Sequence, residues 1–178
     1  MKTAIATHRE PQVLQDYQKT LNVALADGTA SNDAVIALSI GQQGWLVSLN
    51  DLAETSLCPS LAKTGSMPKG VMGIGNFRGR VNTVVSMPRL LGMEGDFRND
   101  GWTTVLHPRF EVAIALWWPQ MVGLFSRSDF TKATDVWPLA LASRSAWKNS
   151  AAGVWNELDT DFLLRERVGS QEWSKETA

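Results

Sequence analysis

The feature that most constrains the fold is a series of short, β-rich runs separated by turn-forming residues, beginning at Ala34. The first two runs, AVIALSI and GWLVSL, meet at GQQG, a pattern typical of a β-hairpin. RVNTVVSM, WTTVLH, FEVAIALWW and MVGLFS have the same character and predict further strands. Short strands with close turn signals favour small β-barrels or a sandwich over a doubly wound parallel sheet.

A different period occupies the residues before the first of these runs. From Pro11 to Ala26 the apolar residues recur at helical spacing. Pro11 suits a first helical turn and Gly28 suits the position just past a C-terminus, so this stretch predicts an amphipathic α-helix. Its apolar stripe, which either packs against its own domain or docks to a partner, contains Leu14, Tyr17 and Leu21.

These patterns divide the chain into three parts. Residues 1–30 are the N-terminal helix and linker, residues 31–168 are a β domain, and residues 169–178 are a C-terminal tail. Within the β domain, NDLAETS predicts either a helical turn or the start of a strand, and WNELDTDFLLRERV predicts a strand or a short helix. The stretch from Thr131 to Gly153 has no clear periodicity.

The composition of the chain excludes several functional classes. The formal net charge is -1 and the lysines and arginines are scattered, so no nucleic-acid surface is predicted. Cys58 is the only cysteine, which rules out an internal disulfide and fits a reducing cytosol. The most apolar run, VAIALWWPQMVGLF, contains Pro119 and Gln120 and is shorter than the roughly 18 apolar residues that span a bilayer. We therefore expect a soluble cytoplasmic protein with no direct membrane insertion.

The stretch GVMGIGNFRGR, residues 70–80, poses the main functional question. A dinucleotide-binding loop needs its glycines after a strand and at the start of a helix. Here the spacing fails, because the partner of Gly73 and Gly75 would fall on Arg78 and the next glycine is Gly79. No Gly-Lys-Ser/Thr pattern is present, and the RVNTVVSM that follows alternates like a strand. A nucleotide enzyme is therefore disfavoured.

A mechanical role for the same glycines fits the sequence better. Gly73 and Gly79 allow backbone angles that a Cβ would forbid, and a rigid turn would hold Arg78 in a fixed pose. Such an arginine is suited to anchoring an interface, because its planar guanidinium loses little entropy on pairing with a carboxylate. The alternative is that Arg78 is simply solvated.

The longer segment MPKGVMGIGNFRGRVNTVVSMPRLLG resembles the signature of the CheW family of chemotaxis coupling proteins. In that family a Pro precedes a Gly-Val-x-Asn-Leu-Arg-Gly turn that runs into a strand. Glu54 falls where the family usually has an acidic residue after its second strand. The predicted N-terminal helix makes the chain similar to the PilI-type adaptors of type IV pilus and twitching-motility pathways. The residues in register with the family turn are Gly73, Ile74, Asn76, Phe77, Arg78 and Gly79.

This resemblance implies a mainly β fold of two packed five-stranded SH3-like β-barrels, preceded by an α-helix. It also implies an adaptor without catalytic residues, metal or cofactor. Such an adaptor links the cytoplasmic tip of a methyl-accepting chemoreceptor to the regulatory domain of a CheA-type histidine kinase, in chemotaxis or twitching motility. It is cytoplasmic and recruited to membrane receptor arrays. The implied partner-binding residues are Arg78, Glu54, Gly73, Asn76, Gly79 and Phe77.

The chain departs from the family pattern in two places. In the strand after the turn, Thr83 and Ser86 stand where the family usually has Pro and Asp. In the second half, MVGLFSRSDF places Ser126 and Arg127 near the point where the family has a Gly-rich strand ending in Val-Asp. Both departures bear on which receptor or kinase is bound.

The tryptophans support a second functional hypothesis. Trp117 and Trp118 are adjacent, so in a strand their side chains point to opposite faces. One is expected in the core, and the other is either covered or exposed as a binding patch. Under the second hypothesis the chain is a β-barrel that senses a small molecule or peptide through its tryptophan-rich second half.

Other constellations have plain structural interpretations. Cys58 with His107 or His8 could suggest a thiol and its base, but a loop position beside Pro59 favours a structural thiol. DFRNDG imitates a calcium loop, yet its twelfth position is a histidine instead of an acid. The alternating acids of WNELDTDF are interpreted as the solvated face of an edge strand, and they are Glu157, Asp159 and Asp161.

Overall fold

The computed structural model describes residues 33–63, 65, 67–93, 100–134, 142–149 and 153–168. The helix expected over Pro11–Ala26, most of DFRNDG and the tail at 169–178 lie outside the described residues. None of the described helices is long and apolar enough to cross a membrane.

The described chain is mainly β and contains two sheets. Its strands are β1 (Ala34–Ile40), β2 (Gln43–Ser48), β3 (Leu52–Leu57), β4 (Val71–Phe77), β5 (Arg80–Ser86), β6 (Trp102–Leu106), β7 (Ile114–Trp118), β8 (Gln120–Ser126), β9 (Thr131–Lys132), β10 (Ser143–Lys148) and β11 (Val154–Leu158). One sheet has the order β8-β1-β2-β11-β10-β9 and the other the order β3-β6-β7-β5-β4. We call them the six-stranded half and the five-stranded half.

The expectation of a mainly β fold in two parts is confirmed. The hairpin expected at GQQG joins β1 to β2, with Leu38 opposite Trp45. One half has six described strands instead of five, because the two-residue β9 pairs with β10 inside the stretch where the sequence showed no pattern. The strand expected to begin at Phe110 begins at Ile114, since Pro108–Phe110 forms a 3₁₀ turn.

Short helices occupy the connections. A 3₁₀ turn, Leu49–Asp51, leads from β2 into β3, so NDLAETS holds both a helical turn and a strand. Helix α1 (Met87–Leu90) follows β5, and helix α2 (Thr160–Leu163) follows β11 and continues as a π-turn over Leu164–Val168. The chain passes between the halves at the β2–β3 turn and again at Pro119, between β7 and β8.

A shared apolar core joins the two halves. Trp45 of β2 and Trp118 of β7 meet in it with their ring centroids 6.4 Å apart, and both are fully buried. The Trp118 indole N–H donates to Thr104 Oγ1 at 3.0 Å. Burying a large apolar side chain contributes roughly 1.5–3 kcal/mol, so these contacts hold the two halves together. Further members of this core are Ile36, Leu38, Val47, Val85, Leu106, Leu116 and Leu163.

The adjacent tryptophans point to opposite faces, as expected, but neither is exposed. Trp118 lies in the shared core, and Trp117 lies inside the five-stranded half with Phe77 and Val84. Their exposed fractions are 0% and 2%. The alternative in which one of this pair forms a surface patch is therefore excluded.

The interpretation of WNELDTDF as the solvated face of an edge strand is wrong for Glu157 and Asp159, whereas Asp161 is exposed but lies in α2. Strand β11 lies inside its sheet, paired with β2 on one side and β10 on the other, so alternate residues face packed neighbours. Glu157 is buried and ion-paired with Arg127. Asp159 accepts from the Phe162 backbone N–H at 3.0 Å and so caps α2. Glu157 looked like a surface residue because its ion-pair partner, Arg127, is 30 residues away in the sequence.

Candidate partner-binding site

A two-residue turn joins β4 to β5 at the tip of a hairpin. Phe77 pairs with Arg80, so Arg78 and Gly79 alone reverse the chain. Their φ angles are 48° and 85°, both positive, as in the type I′ turn that matches the twist of paired strands. The stretch is therefore a bend between two β segments. A strand, not a helix, follows it, so the helix N-terminus that a phosphate-binding loop requires is not present at this turn.

Asn76 stiffens the turn from the strand before it. Its Oδ1 accepts a hydrogen bond from the Gly79 backbone N–H at 2.8 Å. This bond spans the turn and fixes Gly79, where a left-handed φ suits a residue without a Cβ. Two expected site residues, Asn76 and Gly79, thus shape the turn, and both are exposed.

Gly73 does not belong to the turn, contrary to the register expected from the family pattern. It lies within β4 at a bulge, where a Cβ would meet the Ala62 carbonyl oxygen and the Leu61 Cβ at 2.9 Å each. Ala62 forms a two-hydrogen-bond bridge with Ile74 at this point. Gly73 therefore lets the segment after β3 close against β4, and it acts on the turn only through that packing.

Phe77 is likewise an internal residue. It is 4% exposed and packs with Met72, Val84 and Trp117 inside the five-stranded half. A side chain in this position offers almost no surface to a partner. It anchors the last residue of β4, so that the turn beyond it has a fixed origin.

Arg78 and Glu54 meet across the open side of the sheet. Glu54 lies on β3 and Arg78 follows β4, the two edge strands of the five-stranded half. Arg78 Nε lies 3.5 Å from Glu54 Oε2, and the side chains are 72% and 18% exposed, respectively. An exposed pair of this kind contributes about 0–1 kcal/mol, so an incoming carboxylate can compete for the guanidinium at little energetic cost.

An apolar patch beside the turn could not be read from the sequence. Val81 is 63% exposed and Ile74 is 36% exposed. Val81 lies opposite Asn76, and Ile74 lies opposite Thr83, so all four share one face of the hairpin. The alternation of RVNTVVSM predicts this face, but it cannot show that the shared core covers Val85 and leaves Val81 open.

Cys58 is not an activated nucleophile. Burial raises the pKa of its thiol to about 11, so the thiolate is scarce near neutral pH. Its Sγ lies near the Pro59 carbonyl at 3.7 Å. Among the described residues, no group of three or more His, Cys, Asp or Glu side chains could hold a metal ion.

A second arginine–glutamate pair, in the six-stranded half, was also missed. Arg127, directly after β8, forms an ion pair with Glu157 of β11. The Trp147 indole N–H donates to the other Glu157 oxygen at 2.9 Å, and the Arg127 guanidinium lies over the same indole, 5.5 Å from its ring centroid. The departure at SRSDF was the only available signal, and it did not reveal these partners.

The arrangement of strands matches a solved structure. The chain is similar to the crystal structure of the scaffolding protein TtCheW from Thermoanaerobacter tengcongensis, with a TM-score of 0.61 and 14% sequence identity. The match covers 75% of this chain and 92% of that chain. The fold is CheW-like. No family model and no curated protein matches the sequence. A likeness at this identity establishes the fold, and the function must be argued from the site.

Proposed function

We propose that this protein is a signalling adaptor of the CheW type. It couples the cytoplasmic tip of a methyl-accepting chemoreceptor to the regulatory domain of a CheA-type histidine kinase, in chemotaxis or, as a PilI-type adaptor, in type IV pilus twitching motility. It does so without catalysis, in the cytoplasm, at membrane receptor arrays. The CheW-like fold supports the adaptor class, and the family turn in the sequence supports the partners.

The observation that carries the proposal is the exposed guanidinium on a stiff turn. Arg78 is 72% exposed, yet a type I′ turn and the Asn76–Gly79 hydrogen bond hold its backbone. An interface anchor that is already ordered loses less entropy on binding. The neighbouring Val81 and Ile74 offer the apolar contact that surrounds such an anchor in protein interfaces.

The surface suits a partner that presents a carboxylate beside apolar side chains. The carboxylate would take the guanidinium in a two-pronged hydrogen bond, with Glu54 held near enough to keep Arg78 oriented in the free protein. Gly73 and Phe77 support this surface from within, as described above. No reacting group is needed for this role.

The test is an affinity measurement with Arg78→Glu. We expect binding to the receptor tip or the kinase regulatory domain to weaken by about 2 kcal/mol or more, roughly 30-fold in Kd, while the fold is retained. Arg80→Glu is the matched control, since it makes the same charge change at an exposed position two residues away. Equal losses of affinity for both variants would indicate a general charge effect. An unchanged Kd for Arg78→Glu would show that Arg78 is not part of the binding site.

The sensor hypothesis receives less support from the site. Four of the described tryptophans have their side chains committed to packing: Trp45, Trp117, Trp118 and Trp155. A pocket formed by such side chains would require the core to open. The adaptor proposal requires no such change, because its contact residues are already at the surface.

A further inference from the structure

One carboxylate is contacted from both halves of the molecule. Asp51 ends the 3₁₀ turn through which the chain passes from the six-stranded to the five-stranded half. Its Oδ1 accepts a hydrogen bond from the guanidinium of Arg109, which lies in the turn between β6 and β7. Its Oδ2 accepts from Thr160 Oγ1 at 2.7 Å, and Thr160 begins α2 directly after β11.

The main chain of Asp51 is also bonded to the turn that contains Arg109. The Asp51 carbonyl accepts from the His107 backbone N–H at 2.8 Å. His107 Nδ1 in turn accepts from the Arg109 backbone N–H at 3.1 Å, which holds the 3₁₀ turn in place. The Arg109 guanidinium lies 4.6 Å from the centroid of the Phe110 ring, and Phe110 packs against the shared core.

The two contacts reinforce each other. The Asp51 side chain is 13% exposed, so both oxygens are largely shielded from water and depend on their protein donors. Arg109 fixes the plane of the carboxylate, and that plane decides where the second oxygen meets Thr160. Losing either donor frees the carboxylate to rotate, which weakens the contact to the other half.

We propose that Asp51 is a latch that sets the relative orientation of the two halves. Arg109 holds one oxygen from the five-stranded half and Thr160 holds the other from the six-stranded half. The shared core supplies the cohesion between the halves, while the latch selects one angle among those the core permits. This inference does not depend on the proposed function, because it concerns the relative orientation of the two halves and not what they bind.

Hydrogen exchange in single variants tests the latch. Arg109→Met removes the guanidinium at a half-exposed position and keeps the apolar stem over Phe110. We expect amide exchange to accelerate by about tenfold at Phe162 and Leu163, which lie in α2 on the opposite half. The reverse variant, Thr160→Val, is expected to accelerate exchange at the amides of His107 and Arg109.

Arg78→Met is the matched control, since it breaks an arginine–carboxylate pair contained within one half. It should leave exchange in α2 unchanged. Faster exchange confined to the β6–β7 turn in Arg109→Met would overturn the proposal, as would a uniform acceleration that includes the central strands β1 and β7. If Thr160→Val does not fold, the result for Arg109→Met decides alone.

Discussion

The two halves of the molecule each contain an arginine–glutamate pair that joins elements not hydrogen-bonded to one another. Arg78 and Glu54 link the edge strands of the five-stranded half, and their side chains are 72% and 18% exposed. Arg127 and Glu157 draw the end of β8 over β11, and theirs are 23% and 9% exposed. The same pair of residue types therefore has two different environments: the pair in the six-stranded half is largely covered, and the pair in the five-stranded half exposes the guanidinium that we propose binds a partner.

The largest effect should come from removing the arginine of the covered pair. Among the described residues, Arg127→Met leaves the buried Glu157 carboxylate with the Trp147 N–H as its one remaining donor, so we expect the free energy of unfolding to fall by about 2–3 kcal/mol. Arg78→Met should change it by less than about 1 kcal/mol. Urea denaturation of both variants gives the comparison directly. Similar losses in the two halves would show that the difference in exposure does not decide their roles.

A glycine in each half sharpens the comparison at the level of the turn. Gly79 and Gly41 both lie at hairpin turns with positive φ, 85° and 59°, and both have open space where a Cβ would point. Replacing either by Ala should destabilise the fold by about 1 kcal/mol through backbone strain alone.

Only Gly79→Ala should also weaken partner binding, because only that turn carries the exposed arginine. Thermal unfolding and an affinity measurement on the two alanine variants separate the effects. If Gly41→Ala weakens binding to the same degree, then the loss follows from stability and not from the pose of Arg78.

The smallest expected effect is on the stability of the protein at acidic pH. Burial alone would raise the pKa of Asp159, but the Phe162 backbone N–H and the Arg144 guanidinium outweigh it, so the pKa is lowered. The carboxylate therefore adds stability above its unfolded pKa of about 3.9, and this stability is lost as the pH falls through the lower folded value.

Arg144→Gln should raise the pKa of Asp159, so the loss of stability should occur at higher pH. The measurement is the free energy of unfolding of both proteins as a function of pH between about pH 2 and 5. Removing Arg78 from the five-stranded half should leave the acid profile of α2 unchanged. A profile that does not respond to Arg144→Gln would mean that the Phe162 backbone N–H and the charge of Arg165 lower this pKa without Arg144.

The sequence predicted the elements of the fold better than their contacts. Alternation and turn residues placed most strands, because these signals act between near neighbours. The stretch containing β9 and β10 was missed, since β9 has two residues and the largely polar β10 carries a bulge, so neither leaves a clear period. Glu157 was misread because its partner Arg127 is 30 residues away.

For the candidate site, the structure shows where the residues named from the sequence lie, and their role in binding stays a prediction. Arg78, Glu54, Asn76 and Gly79 converge at one turn, as the family resemblance implied. Gly73 and Phe77 support that turn from inside, which sequence register cannot distinguish from surface contact. The exposure of Val81 could not be predicted from the sequence, because it depends on which residues of β5 the rest of the fold covers.

The left-handed backbone at Arg78 affects how this position can vary. Asn and Gly occupy such a φ readily, whereas a long side chain there is disfavoured by about 1 kcal/mol. If stability alone decided the residue at this position, asparagine would be favoured, because Asn-Gly is a preferred pair in this kind of hairpin. Arginine at φ 48° therefore gives up some thermal endurance for an outward charge, and under the proposed function Arg78→Asn would give a sturdier protein that binds its partner more weakly.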